Sequence, residues 1–151
     1  MSHTTLVFAI LFAASPADAQ KSGDSPVKKV QDVLPLPEID IQGYFICKGQ
    51  EVGGKSYTGV AVITRKNDVY VVQWVIGSGS TFTGIGIRQG NTLATSWAIP
   101  GERGIVRGVN IYRIDVTSTG PRLVGRWASL PGPGALQSET LTFLKNSDEE
   151  E

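Results

Sequence analysis

Three copies of one apolar pattern constrain the fold of this chain more than any other feature of its sequence. Each copy carries a glycine in the first of two apolar runs and ends the second run on a tryptophan. The glycine–tryptophan pairs are Gly59 and Trp74, Gly84 and Trp97, and Gly108 and Trp127. All three tryptophans of the chain are used in this way. The pattern predicts repeated hairpins of short strands in which a large ring and a residue without a side chain share one face.

The composition between these pairs indicates an all-β fold. Glycine and proline interrupt every stretch that is long enough for a helix, and no segment keeps a helical period. Apolar and β-branched runs between turn residues predict eight strands, paired in order as an antiparallel up-and-down meander. The predicted strands are 42–48, 56–65, 69–76, 81–88, 92–98, 105–115, 122–129 and 137–144. The length of the chain fits one such domain, over residues 42–145.

The two ends of the chain are predicted to lie outside this domain. Residues 1–19 are typical of an export signal, because Leu6–Ala14 is apolar but too short to span a bilayer, and small residues precede a cleavage site at Ala19/Gln20. A buried N-terminal strand is the alternative. Residues 20–41 are polar, contain three prolines and are predicted to be a disordered or extended linker. Residues 146–151 form an acidic tail, and the mature protein is expected to be secreted or periplasmic.

Cleavage at this site would remove the only histidine of the chain, His3. The mature protein would then lack the imidazole that Ser-His and Cys-His catalysis and histidine metal sites require. Cys47 is the only cysteine, so no internal disulfide can form, and its apolar surroundings predict a small buried hydrophobic residue. We therefore expect a binding protein that is not an enzyme and needs no cofactor.

The acidic residues give no metal-binding pattern. Four of them fall in predicted loops or at strand ends, where turn formation and solvation explain them: Glu51, Asp68, Glu102 and Asp115. Glu139 is the only acid well inside a predicted strand. Two interpretations remain open for it: pairing with a strand arginine such as Arg107 or Arg126, or service as a polar anchor inside a pocket.

Nucleic acid and membrane partners are disfavoured. The 14 basic and 14 acidic residues balance, which gives no general attraction to nucleic acid or anionic lipid. The glycine-rich segments 77–80 and 84–86 neither open a helix nor carry a phosphate-binding lysine. A membrane barrel would need longer strands and an uncharged outer band, whereas Gln73, Arg107, Arg113 and Arg126 share the aliphatic face. We expect no transmembrane span.

Turn chemistry predicts which residues face each other across the hairpins. A turn at Gly90-Asn91, where both residues tolerate positive φ, places the glycine of the second copy opposite its tryptophan. A turn near Thr117-Ser118 does the same for the third copy. In the first copy, a turn at Lys66-Asn67 places the glycine opposite the tryptophan, and a turn at Asn67-Asp68 places Ala61 there instead. Each indole is thus predicted to cover a cross-strand residue with little or no side chain.

Alternation along the strands then divides the residues between two faces. The aromatic–glycine face contains Tyr57, Gly59, Ile63, Tyr70, Val72, Trp74, Phe82, Gly84, Gly86, Leu93, Trp97, Gly108, Tyr112, Leu123, Gly125 and Trp127. The aliphatic face contains Val60, Val62, Val71, Ile85, Ile87, Val109, Ile111 and Val124. Eight such strands can close into a barrel. We predict that the aromatic–glycine face points inward, with the linker, the loop at 131–134 or another subunit covering the aliphatic face. The inverted arrangement, with an exposed aromatic surface, is the alternative.

Over residues 42–144, the strand number and the phase of the aromatic residues resemble those of calycin-type barrels, the architecture of avidins and lipocalins. That resemblance implies an interior that is filled or that holds one small ligand. The Gly-x-Trp motif of lipocalins belongs to the first strand, whereas here Gly125-Arg126-Trp127 lies on the penultimate strand and Tyr44 on the first. No ligand-binding residue is therefore carried over. The pattern is also similar to that of short exported bacterial proteins, which implies no particular activity.

Two functions follow from the aromatic set. The first is binding of a small apolar or flat ligand by an exported barrel, with Trp74, Trp97, Trp127, Tyr57, Tyr70, Tyr112, Asn110 and Arg88 as candidate contacts. The second is a structural or protein-interaction module of the cell envelope or extracellular space, whose aromatic residues simply fill the core. The partner is accordingly a small molecule or a protein, and the homo-oligomeric state is left open.

Overall fold

The structure is a computed structural model that describes residues 39–146. Eight strands follow one another in this range: β1 (Gly43–Gln50), β2 (Ser56–Lys66), β3 (Val69–Ile76), β4 (Ser80–Gln89), β5 (Thr92–Gly101), β6 (Gly104–Thr117), β7 (Gly120–Leu130) and β8 (Gln137–Lys145). The predicted signal sequence, the predicted linker up to residue 38 and the tail after residue 146 lie outside the described residues. Within the described range, no helix has the length and apolar character needed to cross a membrane.

The strands close into a barrel. Each strand pairs antiparallel with the next along the chain, and β8 returns to pair with β1, so no sheet edge remains open. This confirms the prediction of an all-β, eight-stranded, up-and-down fold. All eight predicted strands are present, and no strand end differs from its prediction by more than three residues.

The aromatic–glycine face points into the barrel, as predicted. Trp74, Tyr112 and Leu123 are at most 2% exposed, whereas Ile85 and Ile87 on the other face are more than 60% exposed. The inverted arrangement is therefore wrong. The inverted arrangement would bury the aliphatic side chains, but the aromatic rings bury more apolar area per residue, and the interior of an eight-stranded barrel is wide enough to hold them.

One end of the barrel is closed by side chains. Phe45, Ile63 and Leu141 are fully buried there, and Ile41, which precedes β1, packs against them. The Arg88 guanidinium donates hydrogen bonds to the carbonyls of Ile39 at 2.6 Å and Gly90 at 2.8 Å, which hold the entering chain across this end. The last three residues of the predicted linker, 39–41, thus form part of the barrel.

Two of the three predicted hairpin registers agree with the structure. The Gly90-Asn91 turn places Gly84 opposite Trp97, as expected. In the first copy the turn is at Asn67-Asp68, where Asn67 has a φ of 55°, so Ala61 faces Trp74. Of the two turns left open by the sequence, the one at Lys66-Asn67 is wrong.

The third register is wrong by two residues. The turn is at Ser118-Thr119, so Trp127 faces Asn110 where Gly108 was expected. The Thr117 hydroxyl donates to the carbonyl of Gly120 at 2.6 Å, and Gly120 has a φ of 118°, which moves the turn one residue further along the chain. A shift of two in the pairing leaves every side chain on its predicted face.

The covering of glycines by aromatic rings is present, with partners that differ in part from those predicted. The Trp97 ring lies directly on Gly108 of the neighbouring strand, where an added Cβ would overlap it. A Cβ on Gly84 would meet the Ser96 carbonyl at 2.6 Å and the Trp74 ring at 3.1 Å. The missing side chains are therefore the space that the indoles occupy.

We predict that Gly108→Ala lowers the free energy of unfolding by about 1–3 kcal/mol, the usual cost of overpacking, because the new methyl group overlaps the Trp97 indole. Urea unfolding measures the change. Gly132→Ala is the matched control, since Gly132 is exposed and its nearest atom to an added Cβ is the Ser129 carbonyl oxygen at 3.2 Å. Equal stability of the two variants would contradict the observed packing.

Candidate functional site

Five neighbouring strands place a tyrosine, a glycine, a glutamate, a glycine and a tyrosine in one lateral row. The row runs Tyr112, Gly125, Glu139, Gly49 and Tyr57, from β6 through β7, β8 and β1 to β2. A Cβ on either glycine would overlap the ring of the tyrosine beside it. Each tyrosine therefore lies across its glycine, and the two hydroxyls reach the central carboxylate from opposite sides.

The Glu139 carboxylate accepts four hydrogen bonds. Its Oε2 atom accepts from the Tyr57 hydroxyl at 2.6 Å and the Cys47 thiol at 3.2 Å. Its Oε1 atom accepts from the Tyr112 hydroxyl and from the Asn110 side-chain amide at 3.3 Å. A carboxylate has about four lone-pair positions, so this set fills them. Glu139 is 3% exposed, and the four donors replace the water that it has lost.

Asn110 connects the carboxylate to the tryptophans. The Trp97 indole donates to the Asn110 side-chain oxygen at 2.8 Å, which turns the amide nitrogen toward Tyr112 and Glu139. The same nitrogen lies 2.8 Å from the Tyr112 hydroxyl. The position of the Trp97 ring is thus coupled through one side chain to the hydrogen bonds of Glu139.

Burial, followed by the nearby Glu139 carboxylate, raises the pKa of Cys47, Tyr57 and Tyr112 well above their usual values. Both causes disfavour a second negative charge in the barrel. The thiol and both phenols therefore remain protonated donors at neutral pH. A cysteine in this state is a poor nucleophile, and the cluster acts as a fixed set of hydrogen bonds.

A cavity of about 390 Å³ occupies the other half of the barrel and opens between the loops at 51–55 and 77–79. Its volume lies within the range of about 300–1,000 Å³ that is usual for small-molecule sites. The interior walls are formed by Tyr57, Trp74, Phe82, Trp97, Asn110, Trp127 and Glu139. Glu51, Lys55 and Ser80 stand at the rim. A larger depression of about 1,050 Å³ lies over the outer surface of β4–β7 and does not reach Glu139.

The rings around the cavity stand at steep angles to one another. The centroids of Phe82 and Trp97 are 5.3 Å apart with their planes at 75°, and those of Trp97 and Trp127 are 6.5 Å apart at 56°. The indole N–H groups of Trp74 and Trp127 are buried without an acceptor of hydrogen-bond geometry. Trp127 is nevertheless near enough to the Tyr57 hydroxyl to oppose part of the rise in the pKa of that group.

The structure brings together most of the residues that the sequence singled out. Five of them line the cavity: Tyr57, Trp74, Trp97, Asn110 and Trp127. Tyr112 lies behind them in the hydrogen-bond cluster. Tyr70 and Arg88 lie at the closed end, where the Arg65 guanidinium is 5.8 Å from the Tyr70 ring centroid and Arg88 holds Ile39.

Glu139 lies in the cavity wall, in agreement with the second of the two interpretations left open for it, although neither it nor Cys47 was among the predicted contacts. The pairing of Glu139 with a strand arginine is wrong, because Arg107 and Arg126 are exposed on the outer face while Glu139 points inward. The available signal was the alternation of Glu139 with Leu141 on the predicted last strand. Within residues 39–146, no group of three or more Cys, Asp, Glu or His side chains is arranged to hold a metal ion.

The described residues define a closed up-and-down β-barrel with an internal, aromatic-lined cavity above a buried carboxylate. No protein-family model matches the chain, and no curated protein is significantly similar to it.

We predict that alkali destabilises the protein through Tyr112. The unfolded chain releases the phenolic proton near pH 10, while the folded protein retains it, so the contribution of Tyr112 to the free energy of unfolding falls by about 1.4 kcal/mol per pH unit above that point. Below pH 10 both states hold the proton and this contribution is fully present. Urea unfolding at a series of pH values measures the slope.

Tyr112→Phe should flatten this dependence. The matched control is Tyr44→Phe, because the Tyr44 ring lies on the outer surface beside Lys145. An unchanged slope in the Tyr112 variant would mean that burial of this phenol does not control alkaline stability.

Proposed function

We propose that the protein is an exported, non-enzymatic binding protein with a calycin-like barrel that holds a small apolar or flat molecule. The observation that carries this proposal is the cavity of about 390 Å³, whose wall includes all three tryptophans of the chain. Large rings provide apolar contact area with little loss of side-chain entropy, and the Glu139 carboxylate and the Asn110 amide on the wall provide a charge and a dipole that orient a ligand.

The asymmetry of the barrel supports the same function. The β2–β3, β4–β5 and β6–β7 turns at the closed end are each two residues long. At the open end, the β1–β2 loop spans residues 51–55 and the β7–β8 loop spans 131–136. Glycines with positive φ and open space around them occur in both, at Gly53, Gly54 and Gly134. The loops at the open end therefore leave space through which a ligand can enter the cavity.

We expect an occupant of the cavity to change the tryptophan emission, since every indole is part of the wall. Titration of the purified protein with a library of neutral aromatic compounds measures this, together with acrylamide quenching before and after addition. Indoles that acrylamide cannot reach, combined with no response to any compound, would overturn the proposal.

Ser80→Phe should weaken binding by narrowing the opening, because Ser80 lines the rim and shares the inward phase of Phe82. Thr81→Phe is the matched control: it adds the same ring one residue further on, on the outer face, and should leave affinity unchanged. Equal effects of the two substitutions would argue against entry at this end.

A protein-interaction module is the second candidate function, favoured by the outer aliphatic patch, which consists of Ile85, Ile87, Val109 and Ile111. These residues are 56–65% exposed and lie on β4 and β6, on either side of β5. Contiguous exposed apolar surface commonly marks an interaction site. Ala94 and Ser96 of β5 lie at the centre of the patch, between β4 and β6, and neither carries a charge. The patch of one copy can therefore pack against the same patch of a second copy about a two-fold axis.

Sedimentation velocity over a range of protein concentrations tests self-association through this patch. Ile87→Lys should shift a concentration-dependent dimer to monomer. The control is Thr142→Lys, which places the same charge on the exposed outer face of β8. A wild-type protein that sediments as a monomer at every concentration would exclude the second copy as the partner.

A further inference from the structure

The cavity contains one formal charge, and that charge is negative. Glu139 is the only buried acid among residues 39–146, and in the same range no lysine or arginine is buried. Arg113 and Arg122 form ion pairs with Asp115 on the outer surface, away from this carboxylate. The four groups that contact the Glu139 carboxylate are neutral donors. Hydrogen bonds thus stabilise the buried carboxylate, but no buried lysine or arginine among residues 39–146 neutralises its negative charge.

The aromatic walls add to this negative field. The face of an aromatic ring carries partial negative charge, and a cation within about 6 Å of a ring centroid is attracted to it, most strongly by tryptophan. Trp74, Trp97, Trp127, Phe82 and Tyr57 surround the same space. Because the Phe82, Trp97 and Trp127 planes are steeply inclined to one another, these rings are not stacked face to face. Each of these rings also forms part of the cavity wall, where a ligand can contact it.

The occupied lone pairs of Glu139 restrict the kind of cation. Tyr57, Tyr112, Asn110 and Cys47 already fill the positions at which the carboxylate accepts hydrogen bonds. A primary ammonium, which is strongly hydrated, would exchange its water for a site with no free acceptor on Glu139. A fully alkylated ammonium has no N–H to satisfy and interacts through the field of the carboxylate and through the ring faces.

We propose that the ligand of this cavity is a quaternary ammonium compound with an apolar or aromatic body, whose cationic group lies between the indole rings near Glu139. This inference rests on the proposed function and specifies its ligand class. The rim carries one acid, Glu51, and one base, Lys55, so Glu139 sets the charge preference inside.

Three matched compounds test the proposal on the wild-type protein: benzyltrimethylammonium, neopentylbenzene, which is its neutral carbon isostere, and benzylammonium. Tryptophan emission and isothermal titration calorimetry measure the affinities. We expect benzyltrimethylammonium to bind about tenfold more tightly than the neutral isostere, as desolvated cation–π contacts predict. We expect benzylammonium to bind more weakly than benzyltrimethylammonium.

The outcomes separate this proposal from the proposed function. Equal or tighter binding of neopentylbenzene, or tighter binding of benzylammonium, would overturn the ligand class while leaving a ligand-binding barrel. Absence of binding by all three compounds also overturns the ligand class. The barrel function itself fails only if the neutral library gives no response either.

Two variants locate the preference within the cavity. Glu139→Gln should remove the preference for benzyltrimethylammonium over neopentylbenzene, with circular dichroism confirming that the barrel is folded. Phe82→Leu keeps Glu139 and its four donors, replaces one ring face by an aliphatic side chain near the rim, and should lower the affinity for the cation more than that for the neutral isostere. An unchanged preference in both variants would overturn the proposal.

Discussion

The Glu139 carboxylate requires several hydrogen-bond donors at once, and much of the barrel interior is arranged to provide them. A charge held at 3% exposure among aromatic rings would oppose folding if it were left unpartnered. Tyr57, Tyr112, Asn110 and Cys47 come from three different strands and converge on it. Closure of the sheet between β8 and β1 is what allows donors from both sides to reach the same two oxygens.

Glycine makes that convergence possible. Gly49 and Gly125 flank Glu139 on the neighbouring strands, and their missing side chains are the space through which the two tyrosine rings extend. The same principle operates where the Trp97 ring lies on Gly108. The glycines thus determine where large rings lie flat against the wall, and the space left between the rings is the cavity. Strand glycines, which usually weaken a sheet, act here as a template for the interior.

The sequence predicted the barrel better than it predicted the site. Alternation assigned every strand and both faces, since buried and exposed side chains follow one another residue by residue along each strand. Turn chemistry gave the Gly90-Asn91 register, but missed the Ser118-Thr119 turn because the Thr117 side chain and Gly120 decide it. No tight turn joins β7 to β8, and the pairing of β8 with β1 is entirely non-local. The position of Glu139 between Gly49 and Gly125 therefore could not be predicted from the positions of the hairpin turns.

An even number of strands has a topological consequence for the open end. β1 begins and β8 ends at the closed end, so Ile39 and Asn146, the limits of the described residues, both lie away from the cavity opening. Among residues 39–146, the rim consists of the four hairpin loops β1–β2, β3–β4, β5–β6 and β7–β8. Insertions or exchanges in those loops would change which molecules can enter the cavity, while the closed end, the Glu139 cluster and the strand registers stayed as they are. The interior of the described barrel is therefore independent of the loops that surround its opening.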